Sequence, residues 1–224
     1  MDKVDILAIG PHPDDVEIGC SGFILKAKSA GYQSQIVVVT DGQAGLSGSQ
    51  EMRIKEATES AMFLTGKEPI FLHENDGLLD DTLELRTKIA NLIRTFRPKI
   101  VISPFNKDKH PDHVVLSDIT RKAIFMARSN IKALENVRHQ IQVHLEMILD
   151  PISAGQDEKV IIDLSDVWND KLKSLDFHRS QKEVIYNYFK FDQMISENFG
   201  LAHCELFKLR NSILKNINSF IGDE

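Results

Sequence analysis

The sequence predicts a Rossmann-like α/β fold, with a doubly wound, largely parallel sheet and helices on both of its faces. The main observation is that apolar runs of strand length alternate with amphipathic stretches of helix length, as in repeated βαβ units. A second is that 224 residues suffice for one sizeable core but are few for two. Because no internal repeat or Pro/Ser-rich linker divides the chain, we expect a single domain over residues 1–224.

The predicted strands are short, apolar segments, several of them rich in β-branched side chains. The segment Gln-Ile-Val-Val-Val-Thr shows this pattern most clearly. In chain order, the predicted strands span residues 4–10, 35–40, 69–73, 100–103, 141–149, 159–163 and 203–209.

The predicted helices are bounded by start and stop signals. Gly31 and Gly66 follow two of them, and Pro98 stops a third. Ser165 or Asp166 caps a later helix. In chain order, the predicted helices span residues 17–30, 49 or 50 to 64, 82–96, 114–128, 165 or 166 to 178, and 182–196.

Charge and composition limit the classes of function. The 27 Lys and Arg are outnumbered by 33 Asp and Glu, whereas nucleic-acid binding needs a basic face. The N-terminal segment carries acids where a signal peptide carries basic residues, and its apolar run is too short to cross a bilayer. We therefore expect a cytoplasmic protein acting on a small molecule, without nucleic-acid or membrane partners. Cys20 and Cys204 have no CxxC partner and are expected to be ordinary thiols.

Two loops rich in His and Asp follow strands that are predicted to be neighbours. In the strand order 3-2-1-4-5, ligands bind where the order reverses, beyond the carboxyl ends of strands 1 and 4. The first loop lacks the glycines of a dinucleotide-binding turn, which disfavours a nucleotide cofactor. The two loops instead carry side chains that suit a metal: His12, Asp14, Asp15, His110, Asp112 and His113.

These six side chains match the needs of a metal-dependent hydrolase. Three nitrogen or oxygen ligands with one open position describe a catalytic zinc site, whereas structural sites are closed, usually with cysteine. A remaining carboxylate could act as the general base, and a remaining histidine could stabilise the oxyanion or protonate the leaving amine. Asp112 is the natural partner to hold one imidazole in its tautomer. Spacing alone does not separate the roles of Asp14 and Asp15, and Asp14 could instead be a helix N-cap.

At these residues the sequence resembles the LmbE-like, or PIG-L, superfamily of zinc-dependent N-acetylglucosamine deacetylases. Residues 10–19 (GPHPDDVEIG) resemble its first motif, and Arg97-Pro98 leading into Pro104 and residues 110–113 (HPDH) resembles its second. The resemblance implies that His12, Asp15 and His113 are the zinc ligands. It also implies that Asp14 is the general base and that His110 is the electrostatic or acid group.

Weaker likenesses extend over most of the chain. The segment DGQAGLSGSQEMRIKEA resembles a family loop and helix start at which an arginine, here Arg53, contacts substrate. Residues 108–127 resemble the bacillithiol-pathway branch, which implies N-acetylglucosaminyl malate as substrate and a homo-oligomer, specifically a hexamer. Residues 143–147 lack the tyrosines that relatives often carry, and His203 stands where a tyrosine is common, so the sequence leaves the sugar and aglycone open.

Other features have both a functional and a structural interpretation. Asp76 could hydrogen-bond sugar hydroxyls, yet Asn-Asp-Gly is also ordinary turn chemistry. Glycines in the loop 42–49 could form a lid over the crevice or merely a mobile loop, and their spacing is not that of a P-loop. His178, Ser180 and Gln181 are predicted to end a helix, where polar groups satisfy free carbonyls.

The expected function is zinc-dependent removal of the N-acetyl group from an N-acetylglucosaminyl conjugate. Alternatives are deacetylation of another N-acetyl sugar or amide, and a zinc-binding protein without catalysis. Metal-dependent phosphoester hydrolysis would usually need a second metal about 4 Å from the first and more carboxylates. Fe²⁺ is an alternative to Zn²⁺, because histidine and carboxylate ligands accept both.

Overall fold

The computed structural model describes residues 3–45, 47–155 and 158–212. Leu46 of the predicted lid loop and the tail from residue 213 onward lie outside the described residues. Within the described ranges, no helix is long and apolar enough to cross a membrane.

The strands form one sheet in the order β3-β2-β1-β4-β5-β7-β6. In chain order they are β1 (Ile6–Gly10), β2 (Ser34–Thr40), β3 (Ile70–Glu74), β4 (Ile100–Pro104), β5 (Val143–Met147), β6 (Val160–Asp163) and β7 (Cys204–Ser212). Strands β1 to β5 are parallel to one another, and β7 runs antiparallel between β5 and β6. The predicted order 3-2-1-4-5 is therefore confirmed.

Helices pack on both faces of the sheet and bury two hydrophobic clusters. Side chains of α1 and α2 cover one face, and those of α3 and α4 cover the other. This arrangement confirms the predicted fold class. In chain order the helices are α1 (Asp15–Ser29), α2 (Gln50–Thr65), α3 (Leu83–Phe96), α4 (Pro111–Arg128), α5 (Pro151–Ala154), α6 (Trp168–Asp176) and α7 (Lys182–Asn198).

The described structure differs from the predicted elements in a few places. The helix predicted to run through His178 ends at Asp176, because His178 has a non-helical ψ of 60° and leads into a 3-10 helix, Arg179–Gln181. The four-residue helix α5 (Pro151–Ala154) was not predicted, since it is shorter than two turns and leaves no periodic pattern. Cys20 and Cys204 are free and buried.

The neighbouring strands β1 and β4 create the crevice that holds the predicted site. Ile6 lies opposite Ser34 of β2 on one side and Ile100 of β4 on the other, so the strand order reverses at β1. The loop leaving β1 is fixed to β2, because the amide and the hydroxyl of Thr40 both donate to the Pro11 carbonyl at 2.9 Å.

Helix α1 begins at Asp15 and is held at its first turns by a buried lysine of α6. Lys171 is 0% exposed, and its ammonium donates to the carbonyl oxygens of Glu17 at 3.0 Å and Ile18 at 2.8 Å. The same ammonium lies 2.6 Å from Oε1 of Glu205 on β7. Lys171 therefore joins α1, α6 and β7 immediately behind the predicted metal-binding loop.

Glu205 completes this connection from the other side. Its two carboxylate oxygens accept hydrogen bonds from the amides of Gly22 at 2.7 Å and Phe23 at 2.8 Å, in the middle of α1. In a regular helix the Gly22 amide would donate to the Ile18 carbonyl. The ion pair thus links the Ile18 carbonyl to the Gly22 amide, one turn apart, and ties the first turns of α1 to β7.

Lys171→Met is expected to lower the free energy of unfolding by about 3–5 kcal/mol, because it leaves the Glu205 carboxylate buried without its cation. Urea denaturation followed by circular dichroism measures this change. The matched control is Lys173→Met in the same helix, where the side chain is 63% exposed and pairs with Asp170 at the surface. A loss for Lys171→Met no larger than that of the control would contradict the structural role given to the buried pair.

Candidate active site

A cavity of about 900 Å³ opens at the carboxyl ends of β1 and β4. Its walls come from the loops that follow β1, β2, β3 and β4, and from residues 179–184. All three histidines of the predicted site line it, as do Asp14, Asp15, Arg53 and Asp76. The topology therefore brings together two loops that are almost one hundred residues apart in the sequence.

His12 is held by carboxylates at both of its ring nitrogens. Its Nδ1 lies 3.0 Å from Oδ2 of Asp15. Its Nε2 lies 3.0 Å from Oδ1 of Asp76 and 3.1 Å from Oδ2 of Asp112. Burial alone would lower the pKa of His12, but these carboxylates outweigh it and raise the pKa to about 12.

Asp112 connects this imidazole to the loop after β3. It is 1% exposed, and it accepts hydrogen bonds from the amides of Gly77 at 2.8 Å and Leu79 at 3.3 Å. The sequence identified Asp112 as a partner for one of the imidazoles, and the structure places it against His12. Asp76 shares the same ring nitrogen, a contact that the sequence did not indicate.

His113 is fixed in the same way near the start of α4. Its Nε2 lies 3.4 Å from Oδ1 of Asp15, and its Nδ1 lies 3.0 Å from Oδ2 of Asp108. Burial would lower the pKa of His113, but Asp15 and Asp108 raise it to about 9. Asp108 was not among the predicted residues. The only signal was an acid in the loop two residues before His110.

His110 is the N-cap residue of α4 and is more exposed than the other two histidines. Its Nδ1 accepts a hydrogen bond from the Asp112 amide at 3.3 Å. Burial, together with the nearby rings of His113 and His12, lowers the pKa of His110. The lowered pKa favours the neutral ring, whose proton would lie on Nε2 because Nδ1 acts as an acceptor.

The arrangement fits a divalent metal ion. One ligand nitrogen from each of His12, His110 and His113 lies within 4.8 Å of the others, and the Asp15 carboxylate touches both His12 and His113. The raised pKa values of His12 and His113 show that the carboxylates around them favour positive charge, which a metal ion supplies when it displaces the protons. A second set of donors, His12, Asp76 and Asp112, shares His12 with the first and is not an independent site.

Asp14 occupies the N-cap position of α1 but does not cap the helix. Its side chain makes no capping hydrogen bond, and its φ of 126° is strained for a residue with a side chain. The carboxylate is 5% exposed and lines the cavity, 3.6 Å from Nη2 of Arg53. Burial and the neighbouring Asp15 raise the pKa of Asp14, and Arg53 opposes this rise. Such a carboxylate is suited to accept a proton near neutral pH.

Arg53 is buried beneath the glycine loop that follows β2. It is 4% exposed and donates to the carbonyl oxygens of Gly42 at 2.9 Å and Pro13 at 3.0 Å. A Cβ at Gly45 would lie 2.4 Å from the guanidinium, so a larger residue at this position would displace Arg53. Arg53 lines the cavity, yet two of its donors hold the loops after β1 and β2, while its Nε has no partner among the described residues.

The 3-10 helix places unexpected residues on the cavity wall. Ser180 donates to Glu56 at 2.6 Å, and Gln181 donates to the Ser47 carbonyl at 2.8 Å. His178 lies 3.3 Å from Glu17 in a fully buried pair. The sequence suggested only that His178, Ser180 and Gln181 satisfy a helix end. No local pattern shows that this segment closes against α1 and α2.

Comparison with known proteins places this geometry in a family. The family model described as GlcNAc-PI de-N-acetylase, PIG-L, matches residues 7–124. The chain belongs to the PIG-L family. Because the match runs from β1 into α4, it includes both loops of the candidate metal centre and leaves out the wall formed by residues 179–184.

Relatives of the PIG-L chain support this assignment. It is 30% identical over 197 residues to the diacetylchitobiose deacetylase of Thermococcus kodakarensis, covering 80% of this chain and 71% of the relative. The crystal structure of the conserved protein TT1542 from Thermus thermophilus superposes with a TM-score of 0.81 at 27% identity, over 96% of this chain and 98% of that one.

A further structural neighbour shows that this fold alone does not identify the reaction. GalB, a 4-carboxy-2-hydroxymuconate hydratase from Pseudomonas putida, superposes with a TM-score of 0.82 at 17% identity, over 96% of this chain and all of GalB. At that identity the likeness concerns the fold only. The reaction of this PIG-L chain therefore depends on the residues of its own site.

Proposed function

We propose that this chain is a metal-dependent deacetylase that hydrolyses the N-acetyl amide of an N-acetylglucosaminyl conjugate. The observation that carries the proposal is the uncapped, cavity-facing Asp14 beside a cluster of histidines and carboxylates suited to a metal. The Thermococcus relative, which is named as a diacetylchitobiose deacetylase, supports an N-acetylated sugar as the substrate class.

His12, Asp15 and His113 are the proposed metal ligands. Two imidazoles, one carboxylate and an open position are typical of catalytic zinc, and Fe²⁺ accepts the same ligands. Such an ion supplies Lewis acidity, which polarises the amide carbonyl and makes water a stronger acid. Asp112 would orient His12 by holding its Nε2, and Asp108 would orient His113 by holding its Nδ1, while Asp15 faces the other nitrogen of each ring.

Asp14 is the proposed general base, and His110 the proposed oxyanion donor. Asp14 accepts the proton of the attacking water, for which its raised pKa is suited. The Nε2–H group of the neutral His110 donates a hydrogen bond to the carbonyl oxygen as negative charge develops on it. Water adds to the carbonyl carbon, the proton taken up by Asp14 passes to the amide nitrogen, the carbon–nitrogen bond breaks, and acetate and a free amine leave.

The remaining specificity is also proposed. Arg53 and Asp76 lie on the cavity wall, where a sugar hydroxyl or carboxylate could reach them, although both also hold neighbouring loops. We propose N-acetylglucosaminyl malate as a substrate. We also propose that the protein is a cytoplasmic homo-oligomer, specifically a hexamer, and that the loop 42–49 forms a lid over the cavity. The volume of the cavity permits a conjugate larger than one sugar ring.

Acetate release tests the proposal directly. The chain, reconstituted with Zn²⁺ or Fe²⁺, would be assayed with N-acetylglucosamine, diacetylchitobiose and N-acetylglucosaminyl malate. We expect acetate and free amine in equal amounts from at least one of them. Release of phosphate from a phosphoester control, with no acetate from any N-acetyl sugar, would overturn the proposed reaction in favour of phosphoester hydrolysis.

A further inference from the structure

A second cavity, of about 370 Å³, is lined by arginines and contains no residue of the candidate active site. It lies beside the carboxyl-terminal half of α4, against β5 and β7. His144, in its wall, pairs with Val101 near the amino-terminal ends of β5 and β4, whereas the active-site cavity opens at the carboxyl ends. The lining residues are Arg121, Ile124, Phe125, Arg128, His144 and Arg210.

The charges around this cavity are only partly balanced. Arg210 lies 3.4 Å from Glu146, a fully buried carboxylate that also accepts a hydrogen bond from Ser117. Arg121 donates to Asp118 from Nε and Nη2. Arg128 has no carboxylate partner in the described part of the chain, and no acid lines the cavity. Three guanidinium groups are therefore offset by two carboxylates, both outside the cavity wall.

His144 is an uncharged residue in the wall of this cavity. Its Nε2 lies 2.8 Å from the Ser103 hydroxyl, and its ring is 2% exposed. Burial, and then the charge of Arg210, lower the pKa of His144 to about 3. The ring therefore adds no positive charge of its own, and the field in the cavity comes from the arginines.

We propose that this cavity binds a small organic phosphate, with the phosphoryl group between Arg128 and Arg210. Arginine forks match phosphate oxygens in pairs, and the positive charge that the wall leaves unbalanced favours an anionic group. The volume falls in the range of small-molecule sites and exceeds what a phosphate ion alone would fill. Phe125, which is 57% exposed beside Arg128, offers an apolar face for the organic part.

Isothermal titration calorimetry with phenyl phosphate and inorganic phosphate tests the proposal on the metal-loaded chain. We expect Arg128→Ala to weaken the binding of both probes by about tenfold or more, since a charge-assisted hydrogen bond is lost. Phe125→Ala should weaken phenyl phosphate more than inorganic phosphate. The matched control is Arg138→Ala, an exposed arginine outside this cavity, which should change neither.

The Arg128→Ala variant distinguishes phosphate binding in this cavity from phosphate binding at the metal centre. Arg128 carries no ion pair in the described structure, so its replacement should leave folding and acetate release unchanged. Any inhibition of acetate release by phosphate should also be unchanged, since that inhibition would arise at the metal centre. Equal probe binding by the wild type and Arg128→Ala would overturn the proposal, whether or not the chain proves to be a deacetylase. The proposal would also be overturned if the wild type bound neither probe and Arg128→Ala changed the oligomeric mass. That result would assign this face to contacts between copies of the chain.

Discussion

Asp14→Asn is expected to lower the rate of acetate release by roughly 10²- to 10⁴-fold, the usual contribution of general acid–base catalysis, while metal content stays at about one ion per chain. The amide of asparagine is nearly the same size as the carboxylate but cannot accept the proton of water. Asparagine also tolerates positive φ, so the strained backbone at φ 126° can be retained. Steady-state kinetics and metal analysis on the same preparation measure both quantities.

The result also decides a question that spacing leaves open. Asp14 and Asp15 are adjacent, and either could be the ligand on sequence grounds alone. If Asp14→Asn lost its metal together with its activity, Asp14 would be a ligand and the proposed roles would be exchanged. If the variant kept full activity, neither role would hold for Asp14. Asp170→Asn, on the exposed surface of α6, is the control for the substitution itself.

The convergence of the two loops was predictable because it follows from topology. Alternating strand and helix signals imply parallel strands, and the doubly wound order places β1 beside β4. The segments containing His12 and His113 therefore had to leave neighbouring strands at the same edge of the sheet. The observed order β3-β2-β1-β4-β5 confirms that β1 and β4 are neighbours. This prediction required no knowledge of contacts between side chains.

The network around these residues was not predictable in the same way. Asp76 and Asp112 contact the same nitrogen of His12 because the loop after β3 folds over the start of α4. The length of that loop does not indicate that it packs there. His178 reaches Glu17 only after the helix ends two residues earlier than its pattern suggests. Such contacts depend on side-chain packing between distant segments, whereas sequence periodicity reports only which face of an element is apolar.

His113→Ala is expected to abolish stoichiometric metal binding and to lower acetate release about a thousandfold. Removing the imidazole deletes one proposed ligand and leaves Asp15 and Asp108 without their shared partner. The metal's Lewis acidity accounts for several kcal/mol of barrier lowering, and each 1.36 kcal/mol corresponds to a factor of ten in rate. Metal content after dialysis against a weak chelator, together with acetate release, measures the two losses.

His110→Ala is the matched comparison, because His110 lies three residues earlier and its ligand nitrogen also belongs to the histidine cluster. If His110 is the oxyanion donor, this variant keeps its metal and loses about 10²- to 10³-fold in rate. Equal metal loss in both variants would instead mean that His12, His110 and His113 all coordinate the ion. The carboxylate of Asp15 would then serve to orient His12 and His113. Another donor on the cavity wall would have to stabilise the oxyanion, and Arg53, whose Nη2 lies 3.6 Å from Asp14, is a cation on that wall.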